Sequence, residues 1–144
     1  MSSTLVIRRG SCICKAVRYT ITGDPITFRV CHCSHCKKAS GSAFLANAFF
    51  EEKNLQIVEG RDSLTTYPDM GTSSGHPLER FFCNKCGSNV FLRSLAPEAV
   101  KKNLRIVALG TLDDEVDWLP RKELFPENRR LYLKGIELSP KSKL

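Results

Sequence analysis

The chain has 144 residues, a net charge of +7, 42% hydrophobic and 26% charged residues, proportions that are typical of a soluble globular domain. A chain of this length can bury a sizeable core, and no apolar run reaches the roughly 18 residues of a membrane-spanning helix. Its seven cysteines are an odd number, which excludes complete pairing into disulfides within one chain.

Short segments rich in β-branched and aromatic residues alternate with glycine, proline and Asp/Asn along the chain, a pattern of short strands joined by turns. The predicted strands are 4–8, 16–21, 27–30, 44–50, 55–58, 64–67, 80–82, 90–93 and 104–109. Two short helices are predicted, 34–39 with Ser34 as its N-cap and 97–102 with Pro97 at its first position. The sequence therefore predicts a mainly-β fold with one or two short helices.

Two irregular stretches are predicted as loops. Residues 69–77 are polar, contain two glycines and are expected to be mobile. Residues 113–130 carry acids, two prolines and several basic residues, and are predicted to form a loop with one helical turn. Since no other composition shift interrupts the chain, we predict one domain over residues 1–138 and an exposed tail over 139–144.

The cysteines form three closely spaced groups. They are Cys12-x-Cys14, then Cys31-His32-Cys33-x-His35-Cys36, then Cys83-x-x-Cys86-Gly87. Cysteines one to three residues apart lie on tight turns that direct two sulfurs at one ion. The first nine residues do not resemble a secretory signal, so we expect reduced thiols that bind metal in preference to disulfides.

Seven cysteines divide naturally into four and three. Structural zinc sites are closed by four ligands, whereas catalytic sites keep three protein ligands and one open position. The spacing does not decide which groups combine. It also leaves open two closed sites, in which His32, His35 or His76 is the eighth ligand.

The motifs around these cysteines resemble those of the glutathione-dependent formaldehyde-activating enzyme family, which includes the centromere protein V group. The resemblance rests on Gly10-Ser11-Cys12-x-Cys14, Val17-Arg18-Tyr19, Cys31-His32-Cys33-x-x-Cys36-x-x-x-x-Gly41-Ser42, Phe82-Cys83-x-x-Cys86-Gly87-Ser88 and Gly110-Thr111-Leu112-Asp113-Asp114. It implies a β-tent fold with two zinc ions. Cys12, Cys14, Cys83 and Cys86 would hold the structural ion, and Cys31, Cys33 and Cys36 the catalytic one. Lys15 departs from the family pattern, in which glycine commonly follows the second cysteine.

The resemblance also implies a carbon–sulfur lyase that acts on glutathione adducts, with glutathione thiolate adding to formaldehyde or a related aldehyde. Both ends of the chain are basic, and a basic surface attracts small acidic molecules. Arg29, Lys37 and Lys38 are therefore candidate glutathione contacts, with ordinary exposed charge as the alternative. His32 and His35 are candidate proton shuttles or partners of the zinc ligands.

Two other classes of function remain open. A non-enzymatic zinc-binding module of the centromere protein V type is expected to carry a long basic or proline-rich stretch, and residues 1–144 contain none. A nucleic-acid partner is likewise not indicated, since no block of five like charges occurs. A redox or metal-handling protein would use the thiols of Cys31, Cys33 and Cys36, and would release zinc on oxidation.

The last three residues, Ser142, Lys143 and Leu144, match the address read by the peroxisomal import receptor. They follow a polar stretch, so we predict peroxisomal localisation, with the cytoplasm as the alternative. A fluorescent protein fused to the N-terminus is expected to give puncta that become diffuse when residues 142–144 are deleted. Diffuse fluorescence from the intact fusion would rule the address out.

Overall fold

The computed structural model describes residues 5–140, and these residues form ten strands and two α-helices. The strands are β1 Ile7–Ser11, β2 Arg18–Thr22, β3 Thr27–Cys31, β4 Leu45–Glu51, β5 Leu55–Glu59, β6 Leu64–Asp69, β7 Leu78–Cys83, β8 Asn89–Ser94, β9 Leu104–Ala108 and β10 Lys122–Leu124. The helices are α1 Ser34–Ser40 and α2 Pro97–Lys101. The prediction of a mainly-β fold with short helices is confirmed.

The strands form two sheets. A three-stranded sheet has the order β1-β2-β5, and a seven-stranded sheet has the order β10-β3-β4-β9-β8-β7-β6. Neighbouring strands are antiparallel except for β10, which runs parallel to β3 at one edge of the larger sheet. Within residues 5–140, no helix combines the length and apolar character needed to cross a membrane.

The main hydrophobic core includes side chains from both sheets. Tyr19 and Ile21 of β2 pack in one buried cluster with Phe50 of β4 and Val107 of β9. Successive side chains of a strand point to opposite faces of a sheet, so the sequence neighbours of these core residues in the large sheet lie on its other face. There a second cluster contains Leu92, Ile106 and the cysteines of the β3–α1 segment. The second face of the large sheet thus carries a separate apolar cluster beside these cysteines.

The predictions for the N-cap of α1 and for residues 113–130 were wrong. The N-cap of α1 is Cys33 and not Ser34, because Cys33 is extended (φ −64°, ψ 158°) and its sulfur accepts the backbone N–H of Cys36. The predicted loop 113–130 contains the edge strand β10. A three-residue strand between prolines carries too short a pattern to be recognised in the sequence.

The predicted loop 69–77 begins one residue too early. Asp69 is the last residue of β6 and is 2% exposed. The side chains of His35 and Arg80 contact its carboxylate. The predicted first strand is also shifted, since pairing with β2 places β1 at Ile7–Ser11. Residues 1–4 and 141–144, including the proposed address, lie outside the described residues.

Candidate metal centres and the adjoining cavity

The sulfurs of Cys12, Cys14, Cys83 and Cys86 all lie within 4.8 Å of one another. Cys14 Sγ is 3.6 Å from Cys12 Sγ and 3.7 Å from Cys83 Sγ. A disulfide would hold two sulfurs at about 2.05 Å, whereas tetrahedral Zn–S bonds of about 2.3 Å separate them by about 3.8 Å. The donor set and its spacing therefore fit a four-thiolate zinc site.

Two tight turns bring these cysteines together. Cys12 follows β1, and Lys15 in the same turn has a φ of 64°, a left-handed conformation that favours glycine. Cys83 ends β7, and its carbonyl accepts the N–H of Gly87, which is also left-handed (φ 78°). Lys15 therefore adopts the same left-handed turn conformation that a glycine at this position would adopt.

Cys31, Cys33 and Cys36 form a second cluster at the end of β3 and the first turn of α1. Their sulfurs also lie within 4.8 Å of one another, and each residue is buried. Hydrogen bonds from the Cys31 and Cys36 thiols lower the pKa of Cys33 to about 2. Cys31 and Cys33 in turn raise the pKa of Cys36. A zinc ion bound here would convert all three thiols to thiolates and offset their mutual repulsion. The donor set and its spacing therefore fit a three-cysteine zinc site.

The histidines near this cluster contact carboxylates. His32 is fully buried, and its Nε2 lies 2.9 Å from Glu123 Oε1. His35 Nδ1 lies 2.8 Å from both oxygens of Asp69. Among the described residues, no histidine nitrogen joins either sulfur cluster. The geometry thus supports His32 and His35 as partners that orient the cysteine-bearing segment.

Those carboxylates are functional candidates that the sequence analysis missed. Asp69 accepts hydrogen bonds from His35 and from Arg80 Nε, at 2.9 Å. Burial alone would raise the pKa of Asp69, but the His35 and Arg80 bonds outweigh it and lower that pKa. Glu123 similarly joins His32 to Arg129, whose Nη2 lies 2.6 Å from Glu123 Oε2. Nothing in the local sequence indicates these long-range pairs.

A cavity of about 430 Å³ adjoins the three-cysteine cluster, within the usual range for small-molecule sites of roughly 300–1,000 Å³. Its lining includes all three cysteines, apolar side chains such as Phe49 and Ile106, and the basic Arg29 and Arg80. A polar segment, Thr72 to Ser74, also borders it. The cluster therefore lies beside a space that can admit a small molecule.

The three predicted glutathione contacts occupy different places. Arg29 lines the cavity. Lys37 instead donates from Nζ to the carbonyl of Asn128, 3.0 Å away, and Lys38 lines a separate depression together with His35. The structure thus places Arg29 alone of the three on the cavity wall.

The fold and the site together define a mainly-β protein with one four-cysteine and one three-cysteine cluster of metal-binding geometry. Residues 7–128 match the family model described as "Glutathione-dependent formaldehyde-activating enzyme". The chain belongs to this family.

Two individual proteins are similar to the chain. A Halomonas elongata protein, provisionally named a glutathione-dependent formaldehyde-activating enzyme, is 30% identical over 88 residues, 60% of this chain and 56% of that protein. The match thus spans little more than half of the curated relative. The crystal structure of a Rhodobacter sphaeroides protein superposes with a TM-score of 0.56 at 22% identity, covering 76% of this chain and 91% of that one. This second likeness supports the fold.

Proposed function

We propose that this protein is a zinc-dependent carbon–sulfur lyase that joins glutathione to formaldehyde or a related aldehyde, and that catalyses the reverse cleavage. The observation that carries this proposal is the three-cysteine cluster beside a small-molecule cavity, in a member of this family. Cys12, Cys14, Cys83 and Cys86 would hold a structural zinc ion, and Cys31, Cys33 and Cys36 a catalytic one.

A zinc ion bound by three cysteines would keep a fourth, incoming thiol in its deprotonated form. Three thiolates and one Zn²⁺ carry a net charge of −1, which tempers Lewis acidity and favours a soft sulfur ligand over activation of water. The donor set thus supports thiol chemistry in preference to hydrolysis.

The protein's contribution is to bind and orient the two reactants. In the forward direction, the glutathione sulfur forms a bond to the carbonyl carbon, and the carbonyl π pair moves to oxygen, which takes up a proton. The apolar walls formed by Phe49, Leu92 and Ile106 exclude water from the reacting atoms. His32 and His35, each paired with a carboxylate, hold the β3–α1 segment in place.

Replacement of Cys33 tests this proposal. The Cys33→Ser variant is expected to lose one of two zinc ions and most of its glutathione affinity, namely the part that depends on the thiol, while remaining folded on the four-cysteine site. Isothermal calorimetry of the wild type is expected to show glutathione binding with release of close to one proton near neutral pH. Buffers of different ionisation enthalpy measure that proton release. Equal glutathione affinity in both proteins would refute thiol binding at this cluster.

A further inference from the structure

Four side chains on the wall of the cavity carry a buried polar atom that has no hydrogen-bond partner among the described residues. They are Thr27 Oγ1, Arg29 Nε, Asn47 Oδ1 and Arg80 Nη1. Thr27 is 7% and Asn47 6% exposed. Buried polar groups are nearly always hydrogen-bonded, so several unmet groups around one space need an explanation. A polar ligand in the cavity would satisfy them.

Three of these residues lie together on adjacent strands. Arg29 of β3 pairs with Asn47 of β4, and Thr27 pairs with Phe49. The guanidinium carbon of Arg29 lies 5.3 Å from the centre of the Phe49 ring. We call Thr27, Arg29 and Asn47 the β3–β4 patch. Arg80 is on β7, the third strand beyond β4 in the sheet, and lies outside this patch.

The chemistry of the β3–β4 patch selects a particular head group. Arg29 forms no ion pair with the described residues, and its Nε has no hydrogen-bond partner among them. Arg29 is half-buried, and a cation withdrawn from water without a counterion is costly. A guanidinium matches the geometry of a carboxylate. Asn47 Oδ1 needs a donor, which an ammonium group supplies. Together these groups are complementary to the carboxylate and ammonium of an amino acid.

We propose that the β3–β4 patch binds an α-amino carboxylate, with Arg29 and Thr27 on the carboxylate and Asn47 on the ammonium group. The identity of the ligand as glutathione rests on the proposed function, since its γ-glutamyl end carries this head group. Arg29 and Cys31 are two residues apart on one face of β3, about 7 Å between Cα atoms. In glutathione, the glutamyl Cα and the cysteinyl Cα are about 7 Å apart when the chain between them is extended. One molecule is therefore long enough to contact Arg29 and the cysteine cluster at the same time, and both line the same cavity.

The test uses S-methylated ligands, whose blocked sulfur separates head-group binding from thiol chemistry. Calorimetry on the zinc-loaded wild type is expected to show S-methylglutathione binding at least tenfold more tightly than S-methylcysteinylglycine, which lacks the γ-glutamyl group. Arg29→Gln is expected to abolish this preference. Arg61→Gln makes the same charge change at an exposed residue outside this cavity and is expected to preserve it.

Thr27→Val provides a second variant that keeps the β-branched shape. Because it removes an unpaired buried hydroxyl, it is expected to raise the melting temperature or leave it unchanged, while weakening S-methylglutathione binding severalfold. Equal affinity for the two ligands in the wild type, or an unchanged preference in both Arg29→Gln and Thr27→Val, would overturn the assignment. The preference without lyase activity would support the β3–β4 patch and refute the proposed reaction. Lyase activity without this preference for S-methylglutathione would support the proposed reaction and refute the assignment of the β3–β4 patch.

Discussion

The Cys83→Ser variant is expected to accumulate as unfolded or insoluble protein. Cys83 is fully buried, and its sulfur lies 3.7 Å from Cys14 Sγ, 69 residues earlier in the chain. A zinc ion at this cluster would tie the β1–β2 turn to the end of β7, and structural zinc binding contributes directly to folding free energy. Solubility and circular dichroism of the purified variant measure the loss.

The matched control is Cys33→Ser, which makes the same change at a buried cysteine of the other cluster. It is expected to remain soluble and folded, because the four-cysteine site is intact. Soluble Cys83→Ser protein with wild-type thermal stability would show that the four-cysteine cluster does not support the fold.

Removal of the Asp69 carboxylate is expected to cost about 3–5 kcal/mol of unfolding free energy, the usual penalty for breaking a buried ion pair from one side. Asp69→Ala leaves the Arg80 guanidinium, 7% exposed, without its partner 2.9 Å away. It also frees His35, which ties α1 to the end of β6. Urea denaturation of the wild type and the variant measures the difference.

The same comparison has an expected pH dependence. The folded pKa of Asp69 is lowered, so its contribution is complete above the unfolded pKa of about 3.9 and is lost as the pH falls through the folded value. The difference between wild type and Asp69→Ala should therefore be full at pH 7 and shrink in acid. Glu59→Ala, which removes a carboxylate from the exposed pair with Arg18, is expected to cost under about 1 kcal/mol. If Asp69→Ala lost as little unfolding free energy as Glu59→Ala, the buried Asp69–Arg80 pair would not be a major contributor to stability.

The sequence predicted the elements that carry their own local signal. Nine of the ten strands and both helices were found because alternation, turn residues and Pro97 act over a few neighbouring positions. The three cysteine groups were recognisable because metal ligands at short spacing are specific.

The parts that escaped prediction depend on distant residues. Asp69 reads as the start of a polar loop, and its burial follows only from the approach of α1 and β7. Strand β10 exists because three residues pair in parallel with β3, a partner about ninety residues earlier. The unpaired atoms of Thr27 and Asn47 are likewise visible only once the two strands and the cavity are in place.

Anomalous diffraction at the zinc edge, on crystals soaked with glutathione, tests the central claim most directly. We expect two zinc peaks per chain. One should be surrounded by Cys12, Cys14, Cys83 and Cys86, and the other by Cys31, Cys33, Cys36 and the glutathione sulfur. A single peak, or a second zinc whose fourth ligand is a histidine or a water in the presence of glutathione, would contradict the account.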